Sequence, residues 1–268
     1  MPVSPILSDR LLAAYARRRW RGFLTLCRWL GRPIIDVQTS HGGVMTLYPD
    51  DHIDRIVLEE GFYEPEIIAA LRPLFAPGVA YWDVGANFGL HSIAAAVAEP
   101  ELQIHSFEPN PAVFARLEAH VRRNGVRTRC WPVALGETDC TATLHINANG
   151  NPGLSTLTPW PERSYTTHTQ VSVVRADTLI DQGVAPAPNL IKVDVEGTEA
   201  AVLAGFGKYL KAPGLRAVVF ETREDLLADA SQCPAARLLL DAGFTLSALP
   251  RSANGTHAAS NFLALRPA

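Results

Sequence analysis

The chain has 268 residues, of which 47% are hydrophobic and 19% are charged, and its formal net charge is −3. This balance is typical of a globular protein of one or two domains and excludes a disordered chain, and the small net charge gives no indication of a nucleic-acid partner. The charge is unevenly distributed along the chain. Residues 1–32 carry seven arginines and one acid, a net charge of +6, which leaves −9 for the remaining residues.

The cysteine pattern and the apolar runs bear on localisation. The four cysteines form no CxxC pair, so we expect free thiols in a reducing cytoplasm. The longest apolar runs are too short to cross a bilayer, and the N-terminus lacks the pattern of a signal peptide. We therefore expect a cytoplasmic protein that at most contacts a membrane surface.

The basic segment, residues 1–32, has two interpretations. Its arginines could bind anionic lipid headgroups, while the apolar Trp20, Phe23, Leu26 and Trp29 enter the membrane interface. They could equally form a solvated helix face, or pair with the acidic remainder of the fold or with a second subunit. We favour the second interpretation.

The elements before residue 79 are predicted as an N-terminal extension and the start of the main domain. Spacing of apolar residues predicts an amphipathic helix over 8–31, a β-hairpin over 34–48, and helices over 50–58 and 65–74. We assign residues 1–60 to the extension and residues 61–268 to the main domain.

From residue 79 onward, short apolar strands alternate with helices, which is typical of an α/β fold with a mostly parallel sheet. The predicted sheet strands are 79–84, 103–107, 129–135, 190–195, 217–221, 244–249 and 261–265, the last two as an antiparallel hairpin. The predicted helices are 90–98, 111–124, 198–206 and 235–242. Residues 138–176 break the alternation and are predicted as a β insertion with strands 141–146 and 171–174.

The first motif follows the first sheet strand, where Asp83-Val84-Gly85-Ala86-Asn87-Phe88-Gly89 turns into a helix. Gly85 and Gly89 permit a tight turn and the close approach of a ligand to the backbone. Asp83 stands at the carboxyl end of a strand, where open α/β sheets bind ligands. The third glycine of a dinucleotide fingerprint and the GK[ST] of a phosphate loop are absent, and by itself the turn could be purely structural.

The second motif is Glu108, which ends the second strand 25 residues after Asp83. An acid at this place hydrogen-bonds the ribose diol of a nucleoside-like ligand. Since no phosphate-binding loop accompanies it, the ligand need not carry phosphates. S-adenosylmethionine fits, because it offers a ribose diol and an ammonium that suits Asp83.

The third motif is IKVDVEGTEA, residues 191–200, in which a strand delivers Asp194 and Glu196 to its carboxyl end. Residues two apart on a regular strand share a face, and two neighbouring carboxylates raise one pKa, which favours a general base. The alternative is that Glu196 or Glu199 caps the following helix. For Glu199 we favour that alternative.

These motifs together resemble the FkbM family of methyltransferases, which depend on S-adenosylmethionine. The segments that carry the resemblance are Asp83–Gly89 (DVGANFG), Phe107–Pro109, Val133–Gly136 (VALG), Asn151–Thr156 (NPGLST) and Ile191–Ala200 (IKVDVEGTEA). The resemblance spans roughly residues 60–265. It implies the class I, Rossmann-like methyltransferase sandwich, with a seven-stranded sheet whose last strand is antiparallel and with the β insertion between the third and fourth sheet strands.

The resemblance also implies roles for single residues. The methionine portion of the cofactor would be held by Asp83, Gly85, Asn87 and Gly89. The rest of the cofactor would meet Glu108 at the ribose hydroxyls, Ala134 at the end of the third strand near the adenine, and Asp194 at the amino-acid end. Glu64, in GFYEPE, would close over the cofactor or substrate, or would serve only as a helix cap or surface acid.

Methyl transfer to a hydroxyl requires a group that accepts the hydroxyl proton. We predict Glu196 as this base, with His91 and Glu221 as the further candidates, although His91 could be a packing residue and Glu221 a structural one. We expect no metal, because a solvated helix start explains the acids and the histidine of residues 50–54.

The leading functional prediction is O-methylation of a hydroxyl on a sugar, glycan or secondary metabolite. The alternatives are an N- or C-methyltransferase and a cofactor-binding module without catalysis. No DPPY-like tetrapeptide of amide or base N-methylation follows the fourth strand. We expect no nucleic-acid partner, and the sequence leaves open a homo-oligomer.

Overall fold

The computed structural model of the chain describes residues 35–147, 155–159, 164–223, 233–250 and 259–267. The predicted helix 8–31 and the basic segment therefore lie outside the described residues. The strands are β1 Ile35–Gln38, β2 Val44–Leu47, β3 Ala80–Val84, β4 Gln103–Phe107, β5 Thr128–Trp131, β6 Ala134–Leu135, β7 Cys140–Asn147, β8 Tyr165–Val174, β9 Leu190–Val193, β10 Ala217–Arg223, β11 Thr245–Ala248 and β12 Ala259–Leu265. The α-helices are α1 His52–Glu60, α2 Pro65–Leu71, α3 Leu90–Ala98, α4 Pro111–Asn124, α5 Ala176–Asp181, α6 Glu199–Gly205 and α7 Pro234–Asp241.

The central sheet has seven strands in the order β11-β12-β10-β9-β3-β4-β5. The strands from β10 to β5 run parallel to their neighbours, and β12 runs antiparallel to both β10 and β11. This strand order confirms the predicted α/β sandwich, with its mostly parallel seven-stranded sheet and antiparallel final hairpin.

The core lies on both faces of this sheet. Side chains alternate along a strand, so Val219 of β10 joins one apolar cluster while Val218 and Phe220 join the other. On β3, Tyr81 and Trp82 divide in the same way. A sheet that is covered on both faces leaves the carboxyl ends of its parallel strands as the natural place for a ligand.

The predicted hairpin of the extension is present as β1 and β2, and it packs against the α/β sandwich. Its side chains share a core cluster with helix α3. The backbone N–H of Thr46 donates to Nε2 of His120 at 3.0 Å, and Arg116 of α4 binds the buried Asp54 at 2.5 Å. Within the described residues, the extension from residue 35 onward is thus part of the same core.

The predicted third strand, 129–135, is wrong in its second half. Strand β5 ends at Trp131, and Pro132 follows, which has no N–H to donate to a strand ladder. Ala134 begins the separate strand β6, which pairs with Val173 of β8. The prediction that Ala134 ends the third sheet strand is therefore wrong.

Among the other boundaries that differ from the prediction, one bears on the site and one on the segment before the sheet. The fourth sheet strand ends at Val193 rather than at residue 195, so Asp194 and Glu196 lie in the following turn. The helix predicted over 65–74 ends at Leu71 and continues as a short 3₁₀ turn, in which Pro73 cannot donate the hydrogen bond of an α-helix.

The β insertion is confirmed between the third and fourth sheet strands as a three-stranded sheet of its own, in the order β6-β8-β7. Its hairpin strands β7 and β8 are longer than predicted. Among the described residues, no helix is long and apolar enough to span a membrane. Cys130, Cys140 and Cys233 are free thiols, and Cys27 lies outside the described residues.

Candidate active site

The loop between β3 and α3 depends on two glycines. Gly85 has φ +75°, and a Cβ there would lie 1.8 Å from the carbonyl oxygen of Asp194. Gly89 has φ +92°, and its Cβ would lie 2.6 Å from Leu117 Cδ1. The first motif thus packs directly against the loop of the third motif, and only glycine fits at the contact.

Glu108 joins the first motif to the second. Its Oε2 accepts the N–H of Asn87 at 3.0 Å, and its Oε1 accepts the N–H of Asn110 at 2.8 Å. Asn87 has φ +50°, an uncommon conformation for a residue other than glycine. Burial raises the pKa of Glu108 to about 7, although the two N–H donors favour its charged form. Each carboxylate oxygen keeps a lone pair, so a diol could still donate to it.

Lys192 connects Asp83 and Asp194, although no role was predicted for it from the sequence. Its Nζ lies 3.3 Å from Asp83 Oδ1 and 3.3 Å from Asp194 Oδ2, and it donates to the carbonyl of Gly85 at 3.1 Å. Burial disfavours the ammonium, but the two carboxylates outweigh it and hold the pKa of Lys192 above its usual value. The signal in the sequence was a lysine inside the apolar strand 190–193.

Asp83 itself is fully buried. Its Oδ2 accepts the hydroxyl of Ser92 at 2.5 Å, and its Oδ1 faces Lys192. The carboxyl group of Asp83 thus presents no surface for a direct contact with a cofactor ammonium. A contact between Asp83 and the cofactor stays a prediction. The geometry favours an indirect role, in which Asp83 fixes the ammonium of Lys192 and Lys192 in turn holds the carbonyl of Gly85.

Asp194, Glu196 and Glu221 form an acidic cluster at the carboxyl edge of the sheet. One carboxylate oxygen from each residue lies within 4.8 Å of the other two. Proximity of Asp194 and Glu196 was predicted, but for a wrong reason. They do not share a strand face, and Glu196 instead turns back with φ +56°. Such a cluster can surround a small cation or the cationic part of a cofactor.

Glu221 reaches this cluster from β10, the neighbour of β9. Burial, followed by the charges of Asp194 and Glu196, raises the pKa of Glu221 to about 9. The carboxyl group of Glu221 is therefore mostly protonated at neutral pH until a positive charge enters the cluster.

Glu64 and His91 lie on the same side of the site. Glu64 precedes helix α2 with φ +51°, and burial and the charge of Asp194 raise its pKa to about 8. His91 is buried beside Phe62, with Nε2 3.4 Å from the Glu64 carbonyl oxygen. Burial and the charge of Lys192 lower the pKa of His91 to about 4, so its ring is neutral at physiological pH.

Glu199 lies in the first turn of helix α6, as the helix-cap alternative expected, but its side chain binds the turn before the helix and does not cap the helix itself. Its Oε1 accepts the N–H of Gly197 at 3.0 Å and that of Val195 at 3.3 Å. This carboxyl group holds the turn that carries Glu196 and is occupied by that task. Ala134, which was expected near the adenine, lies in the small sheet on β6.

The acids near residue 50 serve the N-terminal extension. Asp51 caps helix α1 by accepting the N–H groups of Ile53 and Asp54. Asp54 accepts the N–H of Tyr48 at 2.7 Å and binds Arg116. Asp51 is thus a helix cap, and Asp54 is a buried partner of Arg116 and not part of a solvated helix start.

The residues at the sheet edge fit S-adenosylmethionine. The acidic cluster complements a sulfonium and an ammonium, and the carboxylate of Glu108 suits a diol. The family comparison agrees, because residues 83–246 match the family model described as "Methyltransferase FkbM domain". The chain belongs to the FkbM methyltransferase family. It is an enzyme that uses S-adenosylmethionine as its methyl donor.

The FkbM-family chain is also similar to two named methyltransferases. It is 30% identical over 185 residues to the hexuronic acid methyltransferase AglP of Haloferax volcanii, covering 67% of this chain and 71% of that protein. It is also 30% identical over 236 residues to the 31-O-demethyl-FK506 methyltransferase FkbM of Streptomyces tacrolimicus, covering 77% of this chain and 84% of that protein.

Solved structures are similar at a greater distance. The precorrin-6y C5,15-methyltransferase of Geobacter metallireducens aligns with a TM-score of 0.46 at 14% identity, over 76% of this chain and 90% of that one. The magnesium protoporphyrin IX methyltransferase of Synechocystis aligns with a TM-score of 0.45 at 11% identity, over 99% and 100%. The assignment of the fold rests on the strand order of the FkbM-family chain itself.

Proposed function

We propose that this FkbM-family enzyme methylates a hydroxyl oxygen of a sugar, a glycan or a secondary metabolite. The observation that carries the proposal is the acidic cluster of Asp194, Glu196 and Glu221 beside the Gly85 loop, where a cationic methyl donor and a proton acceptor are both needed. The names of the two relatives, a hexuronic acid methyltransferase and a 31-O-demethyl-FK506 methyltransferase, support an oxygen acceptor.

The cofactor would lie along the carboxyl edge of the sheet. In the proposed arrangement, the loop of Gly85, Asn87 and Gly89 holds the methionine portion of S-adenosylmethionine, and Asp194 faces its amino-acid end. Glu108 accepts the ribose hydroxyls. Ala134 is the residue proposed to lie near the adenine. This contact has weaker support than the others, because β6 belongs to the small sheet and not to the central one.

The bound cofactor supplies an already activated methyl group, so the protein mainly has to align the acceptor and take up its proton. Glu196 is the proposed base because it lies in the acidic cluster on a turn that Glu199 holds. His91 is a weaker candidate, since its pKa of about 4 and its neighbour, the Glu64 carbonyl, fit a packing residue. The carboxylate of Glu221 would assist by compensating the positive charge of the cofactor.

Calorimetric titration with S-adenosylmethionine, followed by transfer of a radiolabelled methyl group to a panel of uronic acids, neutral sugars and polyols, tests the proposal. We expect binding and labelling of an oxygen. Absence of binding would leave only a non-catalytic module with another ligand, and labelled nitrogen or carbon would identify an N- or C-methyltransferase instead. Both results would overturn the proposal.

We also infer a cytoplasmic enzyme whose basic residues 1–32 are solvated, or pair with the acidic remainder of the chain or with a second subunit. The alternative is contact with an anionic membrane surface. Co-sedimentation of the full chain, and of a chain lacking residues 1–32, with vesicles containing phosphatidylserine separates the two. Equal recovery in the supernatant is expected, and salt-sensitive pelleting of the full chain alone would contradict the inference.

A further inference from the structure

The β insertion returns to the active site through residues 155–159, which lie between β7 and β8. Thr156 forms a bridge to His145 of β7, with its N–H donating at 3.0 Å and its carbonyl accepting at 2.9 Å. The side chain of Thr156 is fully buried. This short segment is therefore held on the small sheet by backbone hydrogen bonds.

The hydroxyl of Thr156 reaches the turn that carries Glu196. Its Oγ1 donates to the carbonyl oxygen of Glu196 at 2.9 Å and accepts the N–H of Thr158 at 3.1 Å. The carbonyl of Thr158 is a second acceptor at the longer distance of 3.2 Å. A single buried hydroxyl thus joins the insertion to the loop of the proposed base.

The turn at Glu196 needs such support. Its φ of +56° is unfavourable for a residue with a side chain, and a conformation of this kind persists only where the surroundings hold it. Glu199 holds the N–H groups on one side of the turn, and Thr156 holds the Glu196 carbonyl. This backbone conformation places the Glu196 carboxylate beside Asp194 and Glu221.

The neighbouring Ser155 reaches the other side of the site. Its Oγ accepts the side-chain N–H of Asn110 at 3.2 Å, and the backbone N–H of Asn110 donates to Glu108. The pair Ser155 and Thr156 therefore spans from the proposed ribose loop to the loop of the proposed base.

We propose that Thr156 is a positioning residue for methyl transfer, which places the Glu196 carboxylate within reach of the acceptor hydroxyl by holding the Glu196 carbonyl. The inference rests on the proposed function and on Glu196 as the base. It assigns the insertion a task inside the catalytic site, since the hydroxyl that sets the turn comes from the small sheet.

Two cofactor analogues test this without a known acceptor. Sinefungin carries a protonated amine where S-adenosylmethionine carries its methyl group, and S-adenosylhomocysteine is neutral there. A carboxylate that takes the proton of the acceptor hydroxyl lies close to this position and attracts the sinefungin amine, so the ratio of the two dissociation constants reports the placement of Glu196. We expect Thr156→Val to reduce the preference for sinefungin by about fivefold or more, while the affinity for S-adenosylhomocysteine stays near that of the wild type.

Matched variants exclude a general structural effect. Thr156→Ser keeps the hydroxyl and should retain the wild-type ratio, whereas Thr156→Ala should behave like Thr156→Val and replaces it if the valine variant does not fold. Thr143→Val removes a hydroxyl elsewhere on the small sheet, where Thr143 accepts from Gln170, and should change nothing. Adding Glu196→Gln to Thr156→Val should lower the ratio little further, because both changes remove the same interaction.

The outcomes separate the two proposals. If the wild type binds neither S-adenosylmethionine nor the analogues, the proposed function is wrong and the inference falls with it. If the wild type prefers sinefungin and Thr156→Val keeps that preference, or if the effects of Thr156→Val and Glu196→Gln simply add, Thr156 does not position Glu196 and the proposed function stands.

Discussion

Lys192 and Asp83 occupy paired positions on neighbouring parallel strands, and the lysine Nζ lies 3.3 Å from Asp83 Oδ1. Both side chains are buried, so each charge depends on the other for compensation. The same ammonium reaches Asp194 at 3.3 Å and the carbonyl of Gly85 at 3.1 Å. One lysine thus holds together the loops that follow β3 and β9.

Lys192→Met should destabilise the protein and disrupt the cofactor site. Removal of the ammonium leaves two carboxylates close together without compensation, and breaking a buried pair typically costs about 3–5 kcal/mol. Urea unfolding measures this loss, and calorimetry should show S-adenosylmethionine binding weakened by about tenfold or more. Lys208→Met, which removes an exposed partner of Asp181, is the matched control and should leave both measurements unchanged. Wild-type stability of Lys192→Met would contradict the assigned role.

Gly85→Ala should be far more damaging than Gly78→Ala. The two glycines have nearly the same φ, +75° and +76°, so both alanines carry the left-handed strain of about 1–2 kcal/mol. Only at residue 85 would the Cβ overlap the carbonyl of Asp194, whereas nothing lies within 4 Å at residue 78. Thermal unfolding and cofactor titration of both variants measure the difference. Equal losses would show that the close contact of the two loops is unimportant.

Glu196→Gln should retain cofactor binding but lose turnover by about 10²–10⁴-fold, the usual contribution of a general base. The amide keeps the size of the side chain and cannot accept the hydroxyl proton. Steady-state rates with the acceptor identified in the labelling experiment provide the measurement, and Glu118→Gln, on the exposed face of α4, is the control. Near-wild-type turnover would show that Glu196 is not the base, and Glu221 would then be the next candidate.

Binding of S-adenosylmethionine at pH 7.5 should release protons. Glu64 and Glu221, with pKa values of about 8 and about 9, are mostly protonated in the free protein, and a cation beside them favours their charged forms. Calorimetry in buffers of different ionisation enthalpy counts the protons. The number should decrease towards pH 10, where both groups are already ionised, and S-adenosylhomocysteine should release fewer. Proton uptake would contradict the prediction.

The same raised pKa values predict how stability changes with pH. A carboxyl group whose pKa is higher in the folded state than in the unfolded chain binds more protons when folded, so its contribution to stability falls as pH rises between the two values. For Glu221 this window extends from about 4.5 to about 9. Glu221→Gln should therefore flatten the decrease in unfolding free energy over this range, as measured by urea unfolding at several pH values. An unchanged slope would show that the Glu221 carboxyl group does not cause the decrease in unfolding free energy with rising pH.

Several elements could be predicted to the residue because their signals are local. Helix α4 runs over the predicted 111–124, since Asn110 caps its start, Pro111 takes the first helical position and Gly125 ends it in a left-handed conformation. Helix α3 and strand β4 also match their predicted bounds. The predicted strand through Pro132 was wrong because the partner of Ala134 is Val173, 39 residues away, and no local pattern reports such pairing.

The sequence by itself determined the fold class, the family and the three motifs, because strand–helix alternation, glycines and acids at strand ends are readable along the chain. Only the tertiary structure decided what these groups do to one another. It paired Lys192 with Asp83 across two strands, turned Glu196 back towards Asp194, and brought Thr156 from the insertion to the Glu196 carbonyl. The physical reason is that charge compensation and burial depend on distance in space, and residues 40 to 109 positions apart become neighbours only when the sheet forms.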